Sequence, residues 1–407
     1  MTTETAVPVA ATPPRRRIRL SGIDLARGLA VFGMIAVHSL NDYDEEGRAT
    51  LSYTVSAGHA SAMFALLAGV AIAFLSGRRR LPRGRQSLGT AASLAARALM
   101  LAVIGLSLGY TEIDYGVVIL PYYAVMFLLA VPLVYLGTRT LAVLALVFAV
   151  LTPVLSQLVR PHLPSPFTRQ VSWETVLVEP LQSLANLCFT GEFPAFVWMT
   201  YVVVGMAVGR LDLSSIRVTA WLVGVGALLV SLAATVSWMF LHPFEGLSRI
   251  EAVSDPDTIE EILTFGSDGT VPTDTWWWLA VNGPHTGTPL DLANTVGSSL
   301  LVLGLCLMLF QITRPVVART VRIVTAPLVA VGTMSLTVYV GHIMFINSDF
   351  DLYGPTEGYL RQALVICTLA LAWRATAGRG PLEGLVTSVT SRVRRVVESR
   401  VARTRRA

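Results

Sequence analysis

Apolar blocks about twenty residues long recur along this chain, and they constrain its fold more than any other feature. A helix of that length crosses a hydrocarbon core about 30 Å thick. Charged residues make up only 14% of the chain, against roughly 25% in soluble domains. We therefore predict an all-α fold, a polytopic bundle of transmembrane helices.

The blocks predict about ten helices, at residues 22–40, 53–76, 91–110, 116–137, 139–158, 194–211, 216–241, 291–312, 323–347 and 358–377. Arginine-rich and acidic loops alternate between these spans. Residues 78–85 form the most basic loop, whereas residues 42–46 and 250–274 are acidic. Since arginine-rich loops stay in the cytoplasm, this alternation places both termini there, in a cell-membrane protein.

The predicted spans divide the chain into three regions. Residues 1–20 are rich in threonine, alanine and proline and predict a disordered cytoplasmic N-terminus without the apolar stretch of a signal peptide. Residues 21–378 form the bundle, with long extracytoplasmic loops at 159–193 and 243–290. Residues 379–407 carry valines at helical spacing among arginines, which predicts a basic amphipathic tail on the anionic inner leaflet.

The net charge of +5 does not indicate a nucleic-acid partner, because the arginines cluster in alternate loops and at the C-terminus. The bilayer is the expected partner. The three cysteines (Cys188, Cys306 and Cys367) form neither a disulfide framework nor a metal motif. We expect no metal, and the sequence does not specify an oligomeric state.

Two motifs have structural interpretations. Trp276-Trp277-Trp278, in the second long outer loop, favours an anchor at the membrane interface. An acceptor-binding surface is the alternative. The glycines of Gly205-Met206-Ala207-Val208-Gly209 predict close packing between helices.

The first predicted span carries ionisable side chains, each of which costs about 2.5–3.5 kcal/mol in a membrane unless compensated. Asp24 and Arg27 are three residues apart, so they can pair near the cytoplasmic end. Arg27 and His38 share a helix face, separated by a rise of about 16 Å. This stripe should face the bundle interior or a wet cavity. It either supports chemistry or fixes helix packing.

Three further histidines are predicted near the same outer depth. His59 lies in the second span, and His285 lies in the last long loop. His342 is near the outer end of the ninth span, with Ser335 and Tyr339 on its face. Because imidazole suits proton transfer near neutral pH, we predict an active site that opens outward. Hydrogen bonding between helices is the alternative interpretation.

The opening Arg-Leu-Ser-Gly-Ile-Asp-Leu-Ala-Arg-Gly-Leu-Ala, followed by a histidine at the helix end, resembles the YeiB-like bacterial membrane family. That family belongs with the heparan-alpha-glucosaminide N-acetyltransferases in a transmembrane acyltransferase superfamily. The resemblance covers nearly the whole chain, including the motifs Ile119-Leu120-Pro121-Tyr122-Tyr123, Glu192-Phe193-Pro194, Pro284-His285-Thr286-Gly287-Thr288-Pro289, Met334-Ser335-Leu336-Thr337-Val338-Tyr339 and Gly380-Pro381-Leu382-Glu383.

The resemblance implies an acyltransferase that moves an acyl group from cytoplasmic acyl-CoA, expected to be acetyl-CoA, to an extracytoplasmic acceptor. The acceptor would be a sugar, glycolipid or other cell-envelope component. His38 would be the catalytic base or a transient acyl carrier. Arg27 would stabilise charge or orient the donor, and Asp24 would hold Arg27. The animal lysosomal members place their active histidine in the loop after the first span, where residues 39–52 contain none.

The remaining candidates would bind the two substrates. The acceptor-binding candidates are His342, Tyr339, His285, His59 and Ser335. The donor phosphates would lie near Arg78, Arg79 and Arg83, although membrane topology alone also explains that basic loop. A transporter or flippase, with the same polar stripe along its path, is an alternative. The sequence shows no inverted repeat or paired broken helices in its favour. A non-catalytic membrane scaffold is the third interpretation.

Overall fold

The computed structural model describes residues 20–78 and 81–404, and α-helices form nearly all of its regular structure. The α-helices of this part of the chain are α1 (Ser21–Ser39), α2 (Leu51–Ser56), α3 (His59–Leu75), α4 (Arg85–Leu108), α5 (Leu120–Leu133), α6 (Thr138–Val159), α7 (Trp173–Val178), α8 (Pro180–Ala185), α9 (Ala195–Gly209), α10 (Ile216–Leu241), α11 (Gly246–Glu251), α12 (Pro256–Phe265), α13 (Pro289–Leu309), α14 (Pro315–Val324), α15 (Ala326–Thr333), α16 (Ser335–Ile346), α17 (Pro355–Thr376) and α18 (Pro381–Thr404). The predicted all-α fold is confirmed.

Six helical segments of the described chain are long and apolar enough to cross a membrane. They are Ser21–Ser39, Leu51–Leu75, Gln86–Leu108, Thr138–His162, Ile216–Leu241 and Pro289–Leu309. Two bent helix pairs raise the number to eight. The predicted span at 116–137 contains the shorter apolar helix α5, and the one at 323–347 is divided between α15 and α16. The membrane character of the chain is thereby supported, and the number of ten spans stays a prediction.

The two bent pairs correct the expectation that broken helices are absent. Pro180–Thr190 meets Ala195–Gly209 at 51°, and Pro315–Val324 meets Ala326–Thr333 at 55°. The residues between the first pair end in Pro194, and Pro327 lies at the start of α15. Proline lacks the backbone N–H that an uninterrupted helix needs and so favours such breaks.

Helix α1 lies inside the bundle and packs against α3, α13, α15, α16 and α17. Glycines permit its closest approach to α15. A Cβ atom on Gly332 would lie 1.7 Å from the carbonyl oxygen of Asp24, and one on Gly28 would lie 2.2 Å from that of Leu328. The two backbones touch here without intervening side chains, which fixes α1 against α15.

Helices α3 and α9 make a second close contact, which confirms the predicted role of the Gly205–Gly209 motif. A Cβ atom on Gly205 would lie 1.9 Å from the carbonyl oxygen of Leu66, and one on Gly69 would lie 2.1 Å from that of Val202. Small residues on both helices therefore let the backbones meet.

The segment between α10 and α13 forms, with the last residue of α10, a small hydrophobic core of its own, built from Leu241, Ile250, Ile259, Ile262, Val271, Trp278 and Val281. Trp278 is fully buried there, and its indole N–H donates to Asp274 at 2.8 Å. Trp276 is exposed. The interface-anchor interpretation is therefore wrong for Trp278, because neighbouring outer helices cover the ring.

The C-terminal helix α18 packs along α4, with Val386 and Thr390 buried. Glu383, at its start, accepts hydrogen bonds from the backbone N–H groups of Leu336 (2.7 Å) and Thr337 (3.2 Å). These are donors at the start of α16, which a carboxylate satisfies well. The tail thus holds the N-terminal end of the helix that carries His342. Residues 1–19, which include most of the predicted disordered N-terminus, lie outside the described residues.

Candidate active site

His38 lies in the last turn of α1, where its ring meets that of His342 from α16. Nδ1 of His38 is 3.2 Å from Nε2 of His342, and the two ring planes are parallel within 1°. The fold brings these two candidate site residues, which are 304 positions apart in the sequence, into direct contact. His342 was predicted to bind the acceptor, but the structure places it behind His38 rather than on the cavity wall.

Gln362 of α17 completes a hydrogen-bonded chain. Its Oε1 lies 2.7 Å from Nδ1 of His342, and its amide nitrogen donates to Oγ of Ser39 at 3.4 Å. Since Oε1 can only accept, Nδ1 of His342 carries the proton. Nε2 of His342 then accepts from Nδ1 of His38. This leaves an unshared electron pair on Nε2 of His38.

A glycine faces that nitrogen. A Cβ atom on Gly116 would lie 2.6 Å from Nε2 of His38, and the backbone φ of Gly116 is +128°. The buried side chain of Gln170 holds this segment. Its amide donates to the carbonyl oxygen of Gly116 at 2.8 Å, and its Oε1 accepts from the N–H of Val118 at 3.0 Å. The segment from Gly116 to Val118 is thus clamped beside the imidazole.

His38 lines a half-open cleft of about 390 Å³, part of which is open to solvent. Its wall combines apolar side chains with the polar groups of His38, Ser56, Glu192, His285 and Tyr339. Clefts with a few converging polar groups are typical of small-molecule sites. The predicted inward direction of His38 is therefore confirmed.

Tyr339 lies one helical turn before His342 and also lines this cavity. Its hydroxyl oxygen accepts a hydrogen bond from the backbone N–H of Ile119 at 3.2 Å. That contact uses an acceptor position and leaves the phenolic hydrogen available as a donor. Tyr339 can therefore stabilise negative charge that develops on a reacting oxygen.

His285 also lines the cavity, in the loop before α13. Its ring stacks near Trp198 at a centroid distance of 6.0 Å and meets Phe193 edge-on at 5.5 Å. Nδ1 of His285 is buried without a hydrogen bond and lies 3.9 Å from Oε1 of Glu192. The backbone φ is +54°, a strained value for a residue other than glycine. Strain at a polar cavity residue is typical of functional sites.

The burial of His285 predicts acid sensitivity. Desolvation, with a smaller effect from His59, lowers the pKa of His285 from 6.5 to about 4. The unfolded chain therefore takes up this proton below pH 6.5, whereas the folded chain does so only near pH 4. Stability due to His285 is present above pH 6.5 and is lost as the pH falls to 4, by about 3 kcal/mol at most. Glu192 acts in the opposite sense, because burial raises the pKa of its carboxyl to about 8. We therefore expect the loss due to His285 as a difference between the wild type and His285→Gln, measured by thermal unfolding in detergent from pH 7 to pH 4. An identical acid response in both proteins would contradict the prediction.

Asp24 and Arg27 form the predicted ion pair, with 3.6 Å between Oδ1 and Nη1. Asp24 is buried, and Arg27 is partly exposed. Arg27 also interacts electrostatically with Arg97 of α4, which in turn interacts with Glu383. By helix rise this cluster lies about 16 Å from His38, so it does not contact the imidazole. Arg97 lies inside a predicted span but was not predicted to be a site residue.

The other acceptor candidates lie away from the cavity wall. His59 begins α3, and its Nδ1 lies 2.8 Å from Oγ of Ser298 on α13. This is the hydrogen bond between helices that was the alternative interpretation. Ser335 begins α16 and does not line the cavity.

The donor candidate Arg78 does not line the cavity either. The guanidinium of Arg78 donates to the carbonyl oxygens of Gly209 (3.4 Å) and Leu211 (2.9 Å), at the end of α9. Arg83 is exposed, and Arg79 lies outside the described residues.

Sequence reasoning assigned no role to Glu192, Gln362, Gly116 or Gln170. Glu192 belongs to a motif that carried the resemblance, which was the only available signal for it. The other three reach the site from separate segments of the chain, and no local pattern marks them.

Comparison with known proteins gave one family match. Residues 19–238 match the family model described as "Heparan-alpha-glucosaminide N-acetyltransferase, catalytic". The match covers more than half of the 407 residues and includes His38, Gly116 and Glu192. His285, Tyr339, His342 and Gln362 lie beyond it. No curated protein matches the chain significantly.

Proposed function

Because this chain belongs to the heparan-alpha-glucosaminide N-acetyltransferase catalytic family, we propose that it transfers an acetyl group from cytoplasmic acetyl-CoA to an extracytoplasmic acceptor. The family match and the apolar helices indicate a membrane protein with an acetyltransferase type of function. The donor, the acceptor class and the direction of transfer are our proposal. The acceptor would be a saccharide, glycolipid or other cell-envelope component.

One observation carries the proposal. Nε2 of His38 has an unshared electron pair and lies at the wall of a half-open cleft lined by apolar side chains and a few polar groups. Such a nitrogen can remove a proton from the acceptor or take the acyl group itself. Tyr339 would donate a hydrogen bond to the carbonyl oxygen as negative charge develops there. His342 and Gln362 would orient the ring of His38.

The inner parts of the molecule would serve the donor. We propose that both termini are cytoplasmic in the cell membrane, with about ten spans, so that the basic loop after α3 meets acetyl-CoA. Arg83 is exposed there and would bind phosphate, together with Arg79, whereas Arg78 anchors the loop to α9. Asp24 and Arg27 would orient the donor from the inner half of α1.

A transporter or flippase is a second candidate because the structure contains two broken helix pairs. Transporters build substrate sites where such helices break. Glu192 lies in one break and lines the cavity, so a solute path through this region is the specific alternative.

An assay with purified protein in sealed liposomes separates the two candidates. Labelled acetyl-CoA is supplied on one side and a cell-envelope extract on the other. Transfer predicts label in an acceptor together with release of free CoA. Movement of a labelled solute, without any acylated product or CoA release, would contradict the acetyltransferase proposal and support transport.

The role of Gln362 makes a separate prediction. Gln362→Leu removes the acceptor that fixes the proton on Nδ1 of His342, so both tautomers of the histidine pair become populated. One neutral hydrogen bond contributes about 1 kcal/mol, so we expect transfer to slow by roughly 5- to 10-fold in a protein that is slightly less stable but still folded. Gln362→Glu retains an acceptor oxygen and should restore most of the rate. Equal rates for the leucine variant and the wild type would exclude this role.

A further inference from the structure

We propose that His285 and Glu192 form a second proton-accepting pair, which deprotonates the acceptor after His38 has been acylated. This inference rests on the proposed function and deepens it. The two imidazoles of this cavity then have different tasks: His38 carries the acyl group, and His285 accepts the proton of the acceptor.

The need for a second base follows from the bonding of His38. Nδ1 of His38 is committed to His342, so only Nε2 can attack the thioester. Once Nε2 carries the acyl group, His38 has no unshared electron pair with which to accept a proton. An acceptor hydroxyl or ammonium-derived amine must then lose its proton to another group in the same cavity.

Few groups on the cavity wall can take that proton. Among the described residues that line it, the titratable side chains besides His38 are Glu192, His285 and Tyr339. A phenol is a weak proton acceptor near neutral pH, and Tyr339 is better suited to donate. Ser56 is likewise no base. His285 and Glu192 therefore remain.

The surroundings of His285 fit this task. Its Nδ1 is buried, lacks a hydrogen bond and lies 3.9 Å from the Glu192 carboxyl group, which can move closer when the ring gains a proton. Trp198 and Phe193 restrict the ring on two sides. The strained backbone of His285 holds the imidazole in the cavity. Burial lowers the pKa of this imidazole to about 4 and raises the pKa of the Glu192 carboxyl to about 8, so near neutral pH the ring has an unshared electron pair and the carboxyl keeps its proton.

The two half-reactions balance. In the first, the electron pair on Nε2 of His38 forms a bond to the thioester carbonyl carbon, and the C–S bond breaks. CoA leaves as a thiolate, and His38 becomes an acylimidazolium that keeps its Nδ1 proton. In the second, the acceptor atom bonds to the acyl carbon, and the acceptor proton passes to His285 beside Glu192. The C–N bond then breaks, and its electron pair returns to Nε2. Release of this proton and uptake of one by the thiolate complete the reaction.

The half-reactions can be measured separately on the purified full-length protein. Labelled acetyl-CoA without acceptor reports CoA release and label retained on the protein. Glucosamine then serves as an acceptor that needs a base, whereas hydroxylamine attacks acylimidazoles without one. For His285→Ala and Glu192→Gln, we expect unchanged protein labelling and unchanged transfer to hydroxylamine. Transfer to glucosamine should fall by roughly 10²- to 10⁴-fold, as for other general bases.

His162→Ala is the matched control, because this histidine is exposed in the short 3-10 helix that follows α6. His285→Gln provides a second variant of similar size should the alanine variant fold poorly. Transfer to glucosamine within twofold of the wild type would overturn the second base. An equal loss of protein labelling and of transfer to glucosamine in the His285 and Glu192 variants would also overturn the second base. If the wild type acylates glucosamine but never carries label itself, the inference fails while the proposed function stands. If the wild type neither releases CoA nor acylates any acceptor, both fail.

Discussion

His38→Ala should lower the rate of acetyl transfer by roughly 10²- to 10⁴-fold, the usual effect of removing a general base, or by more if His38 carries the acyl group. Nε2 of His38 is the reactive atom in either mechanism. The variant should also carry no label after incubation with labelled acetyl-CoA. Initial rates of product formation with purified protein measure the loss.

The controls for this prediction address folding. His38 makes one side-chain hydrogen bond, to His342, so the alanine variant should still fold. Its thermal unfolding temperature and gel-filtration profile should match those of His162→Ala, which changes an exposed histidine. Full activity of a folded His38→Ala protein would show that the cavity does not perform the proposed chemistry. Binding of acetyl-CoA should persist in the variant, because we propose that the donor phosphates bind to the basic loop after α3.

The sequence was most informative where one helix carries the whole pattern. Residues 22–40 were predicted as a span, and α1 runs from Ser21 to Ser39. The Asp24–Arg27 pair and the inward direction of His38 followed from helical spacing alone, and both are confirmed. Spacing fixes such features because 3.6 residues per turn determine which side chains share a face.

Features that depend on contacts between distant segments could not be predicted. Gln362 lies more than 300 positions from His38, and nothing in its neighbourhood marks it as a hydrogen-bond acceptor for a histidine. Gly116 and Gln170 come from two outer loops whose mutual placement depends on the whole bundle. The carboxyl group beside His285 likewise belongs to a segment 93 positions earlier, Glu192.

Local backbone geometry explains why His59 does not lie within one continuous helix, as the sequence predicted. The span at 53–76 was predicted as one helix that includes His59. Gly58 adopts a φ of +70°, which interrupts the helix and starts α3 at His59. The imidazole is thereby turned towards Ser298 on α13. A glycine directly before the histidine was the only signal, since glycine adopts positive φ without strain.

The second large expected effect concerns packing rather than chemistry. Gly205→Ala should destabilise the protein by about 3 kcal/mol, at the upper end for overpacked cores. A methyl group there would lie 1.9 Å from the carbonyl oxygen of Leu66, and a backbone atom cannot rotate away. Helices α3 and α9 must therefore separate. Thermal unfolding in detergent measures the loss.

Gly224→Ala on α10 provides the matched control, because a Cβ atom there would meet nothing within 4 Å. Alanine favours helix over glycine by roughly 0.5–1 kcal/mol, so this variant should be neutral or more stable. The two substitutions thus differ in sign as well as size, and equal unfolding temperatures would show that α3 and α9 are not in backbone contact.

The active site should also respond to Gly205→Ala, because α9 begins three residues after Glu192 and carries Trp198. Moving α9 away from α3 displaces both from His285, so the surviving Gly205→Ala protein should lose transfer to glucosamine more than transfer to hydroxylamine.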